Sequence, residues 1–495
     1  MARVNPEIDH LLRRAGFGIS AVEVDTYKEM SFAQAVAYLV DYEGRPDDVD
    51  ERIGRPDHAR VIPVKASNRE QLFSPDIDID DARQRWIFRM LHTRRPLQEK
   101  MTLFWHNHFA TGFSKLANDS GMLQGAKMLV HKPGVLRGPQ GQIELFRHNA
   151  LGNFRNLLLE VAKDAAMLIW LDGNTNTKAK PQENFGREIM ELFTVGVGHY
   201  TEPDVYAAAR VFTGWNLQPS VDYTNDDYGS MNAYQEFLWR PGEHDTGAKT
   251  FSFPVYPDGT RTIAARGESA GYQDGIDLIN ALAMHPETAR RLARKFWGFF
   301  VSEIQAPDPA FVEAVANVYL QNRTEIRPVI RFILTSPWFT DPSNRFARFA
   351  WPVEYVTRAI KEIGWQNIEL DKVRSPMAAM GQLLYEPPNV AGWHLGVDWF
   401  STGTMLARTN FAATIASSQK EFLATSLAPE VKSADGLLAT MLDRVTPAPL
   451  DQGPQQALMT YLLADGAWRG TESELTTRAS GLARLLVGCS EYQLV

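Results

Sequence analysis

Two glutamates three residues apart, Glu188 and Glu191, lie in the most charge-dense stretch of this chain, PQENFGREIMELFTVGVGHYTEPDVYAAARVFTGW at 181–215. A carboxylate on the edge of an apolar helix face loses water, so its pKa rises toward the range of a general acid or base. At about 100° per residue, Phe185, Ile189 and Leu192 share one narrow sector, the core face. Glu183, Arg187 and Glu191 follow at i, i+4 on the opposite stripe, where unlike charges pair. Glu188 lies about 40° from Leu192, on the shoulder of the apolar face. An ion-pair ladder that merely locks the helix is an equal alternative, because structural networks also perturb pKa.

Other segments offer partners for these carboxylates. MTLFWHNHFATGF (101–113) places His106 and His108 on a helix that is apolar all round, projecting about 200° apart, so they cannot share one metal. The letters HNH do not indicate a nuclease here, since that site needs a ββα context and a basic surface. A histidine in such a helix is more often a hydrogen-bonded core residue. His108, where the chain opens toward Gly112, is the better site candidate.

GEHDTGAKTF (242–251) gives adjacent His244 and Asp245, then Lys249. Such a pair can bind a metal or act as an acid/base couple, with the lysine neutralising an anion; the alternative is a turn before a hairpin. LDGNTNTKAKP (171–181) starts like a calcium loop but lacks the glycine and distal glutamate of one, so it serves better as a loop presenting Asn174 to the same pocket. In EPPNVAGWHLGVDWFSTGTMLARTNF (386–411), Trp393 and Trp399 flank His394 and Asp398 as a platform for a flat ligand, and Arg408 follows on a helix. In ARRLARKFWGFFV (289–301), Arg290, Arg294 and Lys295 fall on about one face, which reads as solvated and only faintly as an anion site.

The expected site therefore has Glu188, Glu191, His108, His244 and Asp245 as catalytic groups. Arg187, Arg210, Lys249, Asn174, Trp393 and Arg408 would contact substrate. A divalent metal held by hard O and N donors (Mg, Mn, Fe or Zn) is a variant whose ligands the sequence does not assign.

The elements that must position these residues are helices. Helical periodicity covers 97–110, 119–130, 153–170, 183–195, 202–213, 286–302, 348–363, 404–416 and 473–487, among others, and alternating β-branched runs are nearly absent. The expected fold is mainly α: a large multi-helical body with long loop insertions and at most a small β-hairpin, at 250–264 around Pro257-Asp258-Gly259. Residues 1–419 would form the body, with insertions at about 43–79 and 216–270. Residues 420–495 would form a helical tail packed back on it. Aromatic residues in the second insertion (Tyr223, Tyr228, Tyr234, Phe237, Trp239) argue for an ordered cover.

A hydrophobic content of 44% across 495 residues is ample for a core, and a net charge of −8 gives no nucleic-acid footprint. The single cysteine, Cys489, rules out an intramolecular disulfide and a thiolate cluster. The N-terminus has no apolar h-region and no uncharged run reaches about 18 residues, so a cytoplasmic protein without membrane insertion is expected. P-loop, GxGxxG, GxSxG, HExxH and CxxC patterns are missing, which removes support for Walker, Rossmann and serine-hydrolase chemistry.

HLLRRAGFG (10–18), MTLFWHNHFATG (101–112), LDGN (171–174), the 183–215 run, HDTGAKTF (244–251), PPNVAGWHLG (387–396) and the terminal EYQ together resemble the DUF1800 family, a bacterial group named as a domain of unknown function. Gln182 and Gly186 stand where that family usually has Asn and Ala. The resemblance implies a mostly α-helical fold and brings no activity. It also implies a neighbour, since such proteins are often encoded beside DUF1501 proteins, which resemble sulfatases and alkaline phosphatases. Two functions are thus expected from the sequence. One is an enzyme carrying out acid/base or metal-assisted hydrolysis or elimination on a saccharide or peptide-like substrate. The other is a non-enzymatic accessory protein for a DUF1501-type hydrolase.

Overall fold

The computed structural model describes residues 4–63, 72–132, 138–221, 233–428, 431–464 and 466–495. Tyr223 and Tyr228 lie outside the described residues. The fold is mainly α, with two antiparallel two-stranded sheets, and no helix among the described residues is long and apolar enough to cross a membrane.

At the centre stands the helix Pro96–His108. Proline at its first position suits an end whose N–H groups lack partners in any case. Every residue of this helix except Asn107 is buried, so its polar side chains must find partners inside the protein. Glu99 accepts from Trp86 Nε1 (3.0 Å), Arg89 Nε (2.7 Å) and Arg147 Nε (2.9 Å). Those arginines continue outward, Arg89 to Asp47 (2.6 Å) and Asp50 (2.9 Å), and Arg147 to Glu144 (2.6 Å). One network therefore clamps the central helix to Ile79–His92, to Gln142–His148 and to the first insertion. One turn on, Lys100 pairs with Glu354, which Arg348 also holds (2.9 Å), tying in the helix Pro352–Ile363.

Several elements depart from the sequence pattern for identifiable reasons. The stretch 153–170 is two helices, Phe154–Lys163 and Ala165–Trp170, because Asp164 leaves helical geometry and caps the second through Met167 N (2.9 Å). The helix at 183–195 stops at Glu191, and the chain turns through Gly196 (φ 85°) and Gly198 (φ 88°) into Glu202–Val211. Thr201 and Asp204 form a capping box at that second helix. The two helices cross closely at Gly186, where a Cβ would come within 2.9 Å of Ala209 N. The family's usual alanine would require these helices to separate slightly.

The insertion at 216–270 holds two hairpins rather than one. Trp215–Val221 pairs with Ala233–Trp239, with Trp215 opposite Trp239. Lys249–Thr250 pairs with Thr262–Ile263, closed by Val255 N to Thr260 O (2.9 Å). The first hairpin escapes a sequence reading because Asn216, Gln218, Pro219 and Ser220 are poor strand formers, and only pairing fixes them. Arg358 donates to Val445 O (3.2 Å), Thr446 O (2.6 Å) and Leu494 O (3.0 Å), tying C-terminal residues to the body.

Burial opposes the ionised form of Glu99, but Arg147 and Arg89 outweigh it and hold the carboxyl below its ordinary range. The same balance, set by Arg147 and Arg85, takes Glu144 to about 2. Both contribute stability above the ordinary glutamate value of about 4.3 and lose it as pH falls toward 2. Thermal melts should therefore show the transition temperature falling steeply between about pH 4 and pH 2. Glu99→Ala strands two buried guanidinium groups and should cost about 3–5 kcal/mol, read as a lower urea midpoint.

Candidate functional site

The residues expected to form a single site fall into separate environments. The 181–215 hairpin is a scaffold on its outer face: Arg187 makes a bidentate pair with Glu202 (2.8 Å to each oxygen) and reaches Glu183 at 3.6 Å. The i, i+4 ladder thus forms only in its first half, and Glu191 instead accepts from the Tyr200 hydroxyl. Glu188 is half-buried, and its carboxylate has no hydrogen-bond or ion-pair partner among the described residues. Burial first, and then the charge of Glu191, raise its pKa. It lines no described cavity.

His244, Asp245 and Lys249 belong to a largely buried network within the second insertion, closed by Asp274. His244 is 0% exposed, with Nδ1 at 2.9 Å from Thr213 O and Nε2 at 3.2 Å from Asp274. Lys249 donates to the same Asp274 (2.6 Å), whose other oxygen binds Arg266 (2.8 Å). Burial works against the Asp274 carboxylate, yet His244 and Lys249 hold its pKa below the ordinary value. Arg210 spends its guanidinium on Asp245 (2.8 and 2.9 Å) and Ala248 O. Arg408 is equally spent, on Gln493 (2.8 Å) and Ala350 O (2.9 Å), and is fully buried. Asn174 sits in the 3-10 turn Gly173–Thr175.

His108 and Trp393 do meet. They line a cavity of about 280 Å3 together with Phe104, Asn107, Lys295, Phe299, Trp351 and the 391–395 loop. Lys295 is its working charge. Its Nζ lies 2.9 Å from His108 Nδ1, and no carboxylate among the described residues pairs with it. His108 Nε2 faces Phe193 O at 3.1 Å. A carbonyl only accepts, so Nε2 carries the proton and Nδ1 presents its lone pair to the lysine. Burial, then Lys295 and Arg291, hold the imidazole neutral, far below its ordinary pKa. Burial, then Arg291, bring the Lys295 ammonium down to about 7. Lys295 as a whole is partly exposed and lines the cavity.

The helix Pro286–Phe296 delivers Lys295 and then passes into a π-helical turn, Trp297–Val301, closed by Ser302 N to Trp297 O (3.0 Å). Single π turns are concentrated at functional sites, and this one sets Phe299 into the cavity wall. The 391–395 loop is the roof. Asn107 Oδ1 accepts from Trp393 N (2.7 Å), and Gly392 (φ 87°) leaves room for that carboxamide, since a Cβ would come within 2.3 Å of it. Glu303 holds the far end through Gly396 N (3.3 Å). The hairpin supports the floor through two backbone carbonyls: Phe193 O fixes His108, and Leu192 O holds Arg291 (3.2 Å).

A family model described as "Protein of unknown function (DUF1800)" matches residues 10–494. This chain belongs to the DUF1800 family. Comparison with curated proteins and with solved structures gives no match. The family description brings no activity to this DUF1800 protein.

Lys295 is the residue that sequence reasoning missed, having placed it on a solvated face with Arg290 and Arg294. Arg290 does pair outward with Glu287 and Glu313, both at 2.7 Å, and Arg294 is exposed. Lys295 turns inward. Its signal is that it stands three residues after Leu292 and four before Phe299, both core positions. Among the described residues, no group of three or more His, Cys, Asp or Glu side chains could hold a metal ion.

Competitive acetylation followed by peptide mass spectrometry should give Lys295 a titration midpoint near 7, against about 10.4 for surface lysines. A midpoint above 9 would remove the case for a reactive amine.

Proposed function

We propose that this DUF1800 protein is an enzyme whose working group is the Lys295 amine, acting on a carbonyl substrate. The single observation behind the reading is the 2.9 Å contact between Lys295 Nζ and the neutral His108 Nδ1, with no carboxylate to hold the lysine charged. A desolvated lysine next to another cation has a substantial neutral fraction near pH 7, and that neutral amine is a nucleophile.

The Lys295 lone pair attacks the carbonyl carbon, and the C=O π pair moves to oxygen. The excess proton on nitrogen passes to His108 Nδ1, while Nε2–H stays on Phe193 O. Returning that proton to the alkoxide gives the carbinolamine. The remaining N–H proton then follows the same route through His108 Nδ1 to the hydroxyl, the C–O bond breaks with its pair leaving on water, and the nitrogen lone pair forms the C=N bond of the imine. The aromatic walls keep bulk water low, which favours the condensed form. The contacts that support this reading favour amine chemistry over the two-glutamate and metal-assisted hydrolysis expected from sequence, because Glu188 and Glu191 line no described cavity.

Incubation with benzaldehyde and cyanoborohydride should fix a benzyl group on Lys295, identified by peptide mapping. The rate should rise with pH through about 7, since only the neutral amine attacks. Lys295→Met should abolish labelling at this position, and His108→Ala should slow it at least tenfold, about the smallest effect expected of a positioned proton acceptor. Labelling confined to exposed lysines would overturn the proposal.

A further inference from the structure

The chemistry around Lys295 also restricts what can enter. Four of the lining side chains are aromatic, Phe104, Phe299, Trp351 and Trp393, and each is at most 5% exposed. They supply flat apolar walls in a cavity at the lower end of the small-molecule range, which suits one ring rather than a polymer. No lining residue is acidic. Lys295 carries the only lysine or arginine charge among them, and Arg291 adds its field from the same helix.

Two hydrogen-bond donors at the wall are unspent. The Trp393 backbone N–H donates to Asn107 Oδ1, which fixes the orientation of that carboxamide and leaves its NH2 pointing elsewhere. Neither the Asn107 Nδ2 group nor the Trp393 indole N–H has a hydrogen-bond partner among the described residues. His394 stands exposed at the mouth. A site with a cation, unspent N–H donors and no acidic group is built for an anion, since donors and positive charge stabilise a carboxylate more than any neutral group.

We propose that this cavity selects small aromatic carboxylates: the ring lies against the Trp393, Phe299 and Trp351 walls, and the carboxylate meets the donors of Asn107 and Trp393 in the field of Lys295. The substrate class rests on the amine chemistry proposed above: an aromatic carboxylate that also carries an aldehyde or ketone. As a binding site the cavity stands without that chemistry.

The test uses phenylacetate, which has no electrophilic carbonyl carbon for imine formation and so reports binding alone. Calorimetric titration of the full chain should show one saturable site, with the neutral isostere 2-phenylethanol at least about tenfold weaker, the loss expected of a charge-assisted hydrogen bond. Asn107→Asp keeps the acceptor for Trp393 N and replaces the free NH2 by a negative oxygen. It should weaken phenylacetate at least about tenfold while leaving 2-phenylethanol within about twofold. Lys295→Met should weaken phenylacetate as well, and circular dichroism would show both variants folded. Equal binding of phenylacetate and 2-phenylethanol, no saturable binding, or indifference to both substitutions would overturn the proposal. Benzaldehyde trapping can fail while phenylacetate still binds, or succeed while phenylacetate does not, so the two readings fall separately.

Discussion

A charge on a helix buried on every side is costly unless it is paired, and the Pro96–His108 helix is buried on nearly every side. Its charged residues organise the molecule around it. Glu99 gathers Trp86, Arg89 and Arg147, Lys100 gathers Glu354, and three further helices and an insertion are held through those partners. Removing a charge from water is costly, and only short, nearly complete hydrogen bonding offsets it. The network therefore admits few arrangements of the surrounding helices.

The same desolvation acts on two lysines with different results. Lys100 is buried beside Glu354, and its ammonium falls only to about 8 because the carboxylate partly restores what burial removes. Lys295 has a neutral imidazole for a partner, and Arg291 adds repulsion, so it falls to about 7. The difference lies in the partner. His108 can be that partner because the Phe193 carbonyl fixes its tautomer, and that carbonyl comes from the end of the charged hairpin. The hairpin that dominates the sequence thus acts on the cavity through backbone atoms, while Arg187 pairs with Glu202 and Glu191 with Tyr200 inside the hairpin.

This division explains what was legible beforehand. Most helices follow from local propensity and from side-chain reach over three or four residues. His108 and Trp393 stand out in the sequence as polar or flat groups where the chain leaves regular structure, and the cavity brings them together. Lys295 was hidden because a helix repeat shows which residues share a stripe but not which stripe faces the core, and a π turn then shifts the register. Asp274 and Arg266 were hidden for a related reason: they answer His244 and Lys249 from up to 30 residues away, through contacts that exist only after folding.

The sequence by itself determined a mainly α chain and its family, because helix periodicity and motif order are properties of neighbouring residues. It also marked Glu188 as an unusual carboxylate, and the half-buried, unpaired side chain agrees with that. Only the tertiary structure decided which charged groups are satisfied and which are left reactive. Arg210, Arg408 and His244 look alike with Lys295 on a sequence, as polar side chains near apolar ones. Folding gives Arg210 and Arg408 carboxylate, amide or carbonyl acceptors and His244 a carboxylate, and it leaves Lys295 with one imidazole lone pair at the wall of a cavity. Desolvation and pairing are set by everything that packs around a group, and that surrounding comes from segments nearly two hundred residues apart.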